Sequence, residues 1–221
     1  MSELTLYTHP LNQPGRSVAI FCKLSGIEFA PKPMNIISGE TSTEEFTRIN
    51  PFQMLPAIVH NGYNVWESAA IISYLADVYN VDNQWYPKDI KIRARINAYL
   101  HWHHQNVRDP VSDYLRVKVG GPKYFGLPEL TPEAEVPYRQ KLNNCLENFT
   151  WVISETRYVA RTSTPTIADI FAINELHGLK YLGVSLDNHP AIKSWYDEIR
   201  AISKVNEILS QAEEIVSKVL A

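Results

Sequence analysis

A change of hydrophobic period near residue 80 constrains this chain more than any other feature. Before it, short apolar runs of strand character alternate with stretches whose apolar residues recur three and four apart. After it, only the helical period remains. Leu4 to Tyr7 reads as a strand, and the turn cluster from His9 to Gly15 follows, with Pro14 placed to open a helix. Val18, Phe21, Cys22 and Leu24 give that helix an apolar stripe, which stops at Gly26. A second extended stretch covers Phe29 to Ile37. A short helix from Thr43 to Ile49 comes next, capped by Ser42 or Thr43 and ended at Asn50-Pro51. Ala57 to Val59 and Tyr63 to Trp66 form a hairpin around Asn61-Gly62, and Ser68 to Tyr79 has helical spacing. The order β-α-β-α-β-β-α implies a parallel pair joined by a crossover helix and closed by an antiparallel hairpin.

Past a polar linker, Asn80 to Asp89, the sequence predicts helices over Ile90–Arg108, Pro110–Val119, Thr131–Ser154, Thr166–Leu179, Pro190–Ala201 and Lys204–Leu220. Gly120-Gly121-Pro122 and Arg161 to Pro165 supply the breaks. The expected fold class is therefore an α/β domain, residues 1–80, followed by an all-α domain, residues 89–221. With 221 residues, 45% of them hydrophobic, there is ample material for packed cores.

Composition removes several function classes. Lys plus Arg number 21 and Asp plus Glu 24, so a net charge of −3 gives no general electrostatic reason to bind nucleic acid or an anionic membrane. No apolar run approaches a membrane span, and the first residues lack a signal-peptide core. Two cysteines, Cys22 and Cys145, cannot build a disulfide framework or a Cys/His zinc pattern, which points to the reducing cytoplasm.

Few residues stand out as chemistry. Glu67-Ser68 sits where a strand passes into a helix; the pair either caps that helix or, with its free N–H groups, holds a carboxylate. Leu55-Pro56 precedes an apolar strand, where a cis bond would leave the backbone of residue 55 open to an extended peptide. His101 and His104 share a helix face, but no Cys, Asp or Glu completes a metal set, so the expected metal content is none. Arg108, one turn further on, is either a surface cation or a group directed into an interdomain cleft. Thr166-Ile167-Ala168-Asp169 has the form of a capping box.

Taken in order, LYTHPLNQPGR, INPFQMLPAIV, VWESAAIISYLADVY and PTIADIFAINEL resemble the successive landmarks of the cytosolic glutathione transferases. WYPKDIKIRARINAYLHWHHQNVR is similar to the opening of the helical domain in the theta class. The resemblance implies a thioredoxin-like first domain that binds glutathione as co-substrate, with no other cofactor, and an electrophile site lined by the helical domain. It also implies a homodimer. By position, Leu55 would pair its backbone with the cysteinyl unit, with Pro56 in cis, while Glu67 and Ser68 would hold the γ-glutamyl ammonium and carboxylate. Gln53 and Thr41 would flank the glycine end. Arg108 would contribute a cation near the sulfur.

Three positions depart from the theta pattern. Asn12 stands where those proteins place a catalytic serine, Thr41 replaces a basic residue, and Gln53 with Met54 replaces a lysine. An asparagine amide can still donate to a thiolate, with Ser17 and Tyr7 as reserve donors. The function implied is conjugation of glutathione to a small hydrophobic electrophile. Two alternatives stay open: glutathione-dependent peroxide or disulfide reduction, as in nu-class relatives with an asparagine here, and a non-catalytic ligand-binding or interaction role.

Overall fold

The computed structural model describes residues 3–220. Two compact units emerge, Met1–Pro87 together with Ile202–Ala221, and Lys88–Ala201.

In the first unit, four strands order as β2-β1-β3-β4: β1 Leu4–Thr8, β2 Ala30–Pro33, β3 Ala57–His60 and β4 Tyr63–Trp66. The β1–β2 pair is parallel, and β3 is antiparallel to both β1 and β4. β2 (APKP) is exposed along its length, and its two prolines suit an edge that cannot donate to a further strand. The Asn61-Gly62 turn has φ of 50° and 81°, the left-handed pair that a two-residue hairpin needs. Two helices join strands, α1 Gln13–Leu24 and α2 Glu44–Ile49, and a third, α3 Ser68–Val78, follows β4. Thr43, one of the two expected caps, accepts from the Phe46 N–H. The Phe29–Ile37 strand is shorter than its apolar run suggested, because residues 36–43 fold into turns around Asn35 and Glu40.

The second unit holds α4 Ile90–His103, α5 Gly121–Phe125, α6 Pro132–Ser154, α7 Ile167–Leu176 and α8 Pro190–Arg200. The break expected at Pro110 is absent. The helix instead widens into π-helical turns over His104–Asp113 and again over Arg116–Gly120, and a wider ring tolerates the missing proline N–H. Gly120-Gly121-Pro122 likewise opens α5 rather than a loop. The Thr166/Asp169 capping box is formed as read, and α7 behind it is buried throughout.

The last helix, α9 Ser203–Leu220, groups with the sheet unit, whereas the sequence placed it in the 89–221 domain. Val205, Leu209 and Ala212, one helical face, are buried, and Glu207 pairs with Lys23 of α1 at 2.9 Å. Helical period alone cannot say which core a helix covers.

Candidate functional site

Strand register gathers the candidate residues of the first unit. Tyr7 is paired with Ala57, and Ala57 with Trp66, while Thr8 is level with Pro33. The segment leaving β1, the segment leaving β2, the approach to β3 and the exit from β4 therefore all lie at one end of the sheet. These segments carry Asn12, Thr41, Gln53-Met54-Leu55-Pro56 and Glu67-Ser68 respectively. Beneath them Tyr7, Met34, Phe46, Leu55 and Ala57 form one apolar cluster that fixes their bases.

Asn12 is the N-cap of α1. Its Oδ1 accepts from the Gly15 N–H at 2.8 Å, which leaves the amide nitrogen with both N–H donors uncommitted among the described residues. Gly15 permits this: a Cβ there would lie 1.8 Å from Thr8 Oγ1 and 2.8 Å from Asn12 Oδ1. Two neighbours fix the preceding turn. Buried Arg16 donates to the Pro10 carbonyl at 3.1 Å, and His9 Nδ1 accepts from the Leu11 N–H at 3.2 Å. Burial pushes the His9 pKa down, which suits an acceptor nitrogen. Arg16 escaped the sequence reading, although a cation inside the buried stripe of α1 was a signal of a specific partner. Of the reserve donors, Ser17 is engaged elsewhere and Tyr7 lies in the core. Ser17 Oγ donates to the Gln13 carbonyl, and Tyr7 stacks obliquely on Phe46 within the core.

At the other side of this end, Glu67 precedes α3 with φ of 65°. It makes no side-chain cap, so the simple capping reading of Glu67-Ser68 fails. The first N–H groups of α3 are left facing outward beside buried Ser68 and the exposed Glu67 carboxylate. That combination takes a zwitterion: carboxylate on the helix terminus and ammonium on the acid.

The Leu55–Pro56 bond is cis. Asn50 shapes its approach, donating to the Met54 carbonyl at 2.8 Å and accepting from the Phe52 N–H at 3.0 Å. Gln53 is exposed with φ of 58°, and its amide donates to Thr47 Oγ1, while Thr41 is buried. A cavity of about 790 Å³ begins at Thr8, His9 and Pro10 and continues between α1, β2 and α9 over Phe29, Pro31 and Ile208.

Arg108 belongs to the second unit. Its guanidinium donates to the buried Glu175 carboxylate at 3.0 Å, and Ser112 holds the other oxygen at 3.1 Å. His103 is a core residue whose Nδ1 lies 2.6 Å from the Leu100 carbonyl, and burial lowers its pKa to about 4. Among the described residues no three His, Cys, Asp or Glu side chains are placed to hold a metal ion.

Residues 2–77 match the family model for the glutathione S-transferase N-terminal domain. Over 97% of its length, the chain is 32% identical to glutathione S-transferase T1 of Arabidopsis thaliana, covering 92% of that protein. The chain belongs to the glutathione S-transferase family. Among solved members of the family, the apo human T1-1 enzyme superposes with a TM-score of 0.88 at 29% identity, over 98% of this chain and 90% of that one. Human theta-2, solved with glutathione and an unknown ligand, gives 0.82 at 28% identity over 97% and 91%. The theta-like reading of the sequence and the glutathione transferase fold both stand. No helix among the described residues is long and apolar enough to cross a membrane.

Proposed function

We propose that this transferase joins the sulfur of glutathione to a small hydrophobic electrophile, using the sheet end described above. One observation carries this reading: a single edge of the molecule presents an uncapped helix start beside an acid, an open backbone at Leu55, and an amide donor at Asn12. The γ-glutamyl group fits Glu67, Ser68 and the start of α3. The cysteinyl unit extends along Leu55, beside Pro56. Its thiol then comes under Asn12 Nδ2 at the start of α1, and the glycine lies toward Gln53 and Thr41.

The chemistry asks for a thiolate. The thiol loses its proton to solvent, the sulfur forms a bond to the electrophilic carbon, and the leaving group departs with the electron pair of the bond that breaks. Lowering a thiol pKa by two units takes about 2.7 kcal/mol. One amide donor supplies about 0.5–1.5 kcal/mol, and the positive end of α1 about 0.3–1 kcal/mol more, up to ~2 kcal/mol where partly buried. Asn12 alone falls short, and Asn12 with α1 reaches the requirement only where both act near the upper end of these ranges, as in a partly buried site. The apolar cavity that starts at Thr8, His9 and Pro10 suits an apolar electrophile on the same unit.

Arg108 donates to Glu175, whose other carboxylate oxygen is held by Ser112, which supports an anchoring role in the helical unit over a part in holding the sulfur. Peroxide or disulfide reduction would have to use the sulfur of glutathione itself. Both protein cysteines are buried, and burial pushes their pKa up to about 12. A homodimer fits the exposed Phe52, Met54 and Tyr63, and a cytoplasmic location suits two free thiols.

Calorimetry with glutathione, followed by turnover assays with a chloroarene, a hydroperoxide and a mixed disulfide, tests the proposal. Ser68→Ala and Glu67→Ala are each expected to weaken binding about tenfold, the worth of one charge-assisted hydrogen bond. Unchanged affinity in both would remove the site assignment, and hydroperoxide or disulfide turnover without chloroarene turnover would replace conjugation by reduction.

A further inference from the structure

Charge and backbone hydrogen bonding at the far end of the proposed peptide site carry an inference that rests on that site reading and extends it to the kind of thiol accepted. Between residues 30 and 56 the cations are Lys32 and Arg48, against Glu40, Glu44 and Glu45. Lys32 pairs with Glu45 at 3.2 Å, and Arg48 with Glu44. Glu40 has no cation partner among the described residues, and its carboxylate accepts from the Asn35 N–H and the Ser38 hydroxyl. The stretch therefore carries one net negative charge.

Many of its N–H groups are consumed internally as well. Those of Ile37 and Ser38 go to Asn35 Oδ1, and those of Gly39, Glu40, Ser42 and Thr43 go to carbonyls of the same turn. Phe52 and Gln53 donate to Asn50. The side-chain amide of Gln53 is itself on Thr47. This is the reverse of the α3 start, where helix N–H groups stand uncapped. One end of the site is built for an anion and the other is not.

We propose that the site reads the γ-glutamyl and thiol portions of its peptide and leaves the terminal carboxylate without a counter-charge, so that γ-glutamylcysteinyl peptides with an esterified or amidated C-terminus are co-substrates as good as glutathione. A carboxylate there meets net negative charge, with most of the N–H groups around Asn35 and Asn50 already spent, whereas an ester or amide loses nothing by being neutral.

Calorimetry at low salt with three probes decides the matter: glutathione, its glycine ethyl ester, and N-acetylglutathione. The expected result is a Kd for the ester within about threefold of that for glutathione, and a loss of about tenfold or more for the N-acetyl compound, which lacks the ammonium. Glutathione binding with the ester about tenfold weaker would overturn this inference alone, because Lys32 or Arg48 would then have left its partner for the carboxylate. N-acetylglutathione binding as well as glutathione, or no binding by any probe, would overturn the site reading and this inference with it. Gln53→Lys adds an independent arm: it should tighten glutathione several-fold and leave the ester unchanged, and an equal effect on both would count against a charge-blind end.

Discussion

Asn12 does two jobs with one side chain, since Oδ1 caps α1 while Nδ2 is left as a donor. The two can be separated. Asn12→Asp keeps the capping oxygen, removes the donor and adds a negative charge; Asn12→Ala removes both. We expect Asn12→Asp to keep its denaturation midpoint while raising the pKa of bound glutathione, read by thiolate absorbance, further than Asn12→Ala does. Asn12→Ala should also cost about 0.5–2 kcal/mol of stability for the lost cap. An Asn12→Asp variant with an unshifted thiol pKa would take the sulfur away from this residue. Asn12 could be picked out as a candidate from its place in LNQP, as could the Glu67-Ser68 pair. The cap made by Oδ1, which leaves the amide nitrogen as donor, could not, because it depends on Gly15 approaching without a Cβ. Arg108 shows the opposite case. Its position in the sequence suggested a free cation, and the buried acid that claims it lies far along the chain at Glu175. Arg108→Ala should lower the melting temperature and leave the pH profile of conjugation in place; a displaced profile would return Arg108 to the sulfur.

At the scale of single elements, α4 and α7 respond to different changes. His103 near the end of α4 is buried, stacked on Tyr99 and edge-on to Phe171, with its pKa lowered from 6.5 to about 4 by burial first and the His104 charge second. As pH falls, the unfolded chain takes up this proton before the folded one. Stability is therefore lost between about pH 6.5 and pH 4, by about 3 kcal/mol at the lower limit from this group. His103→Leu should flatten denaturation midpoints over that window, and an unchanged slope would assign the acid sensitivity elsewhere. In the cap of α7, Asp169 accepts from Thr166 N, Val159 N and Trp195 Nε1 at 2.9–3.0 Å. An asparagine would turn an N–H toward donors, so Asp169→Asn is expected to cost about 3 kcal/mol in urea unfolding. This box was legible because its four residues are contiguous. Passage through Pro110 was not, since the wider π-turn that accommodates it leaves no local signature.

Across the molecule, the strand and helix order of the first unit could be read from period and turn residues alone, whereas the membership of α9 could not. The face Val205, Leu209 and Ala212 would serve either core, and only contact with α1 decides. Leu209→Ala should cost about 2–5 kcal/mol and raise amide exchange in α1 and the sheet, leaving α7 and α8 protected. Equal deprotection of both units would argue against the division. The same division sets an order of assembly during synthesis. The helical unit, Lys88–Ala201, is continuous and can close on itself as soon as it leaves the ribosome. The sheet unit is made first, yet it must wait with the apolar flank of α1 uncovered until the final helix arrives. The unit proposed to bind the thiol peptide is thus translated before the helical one and finished after it.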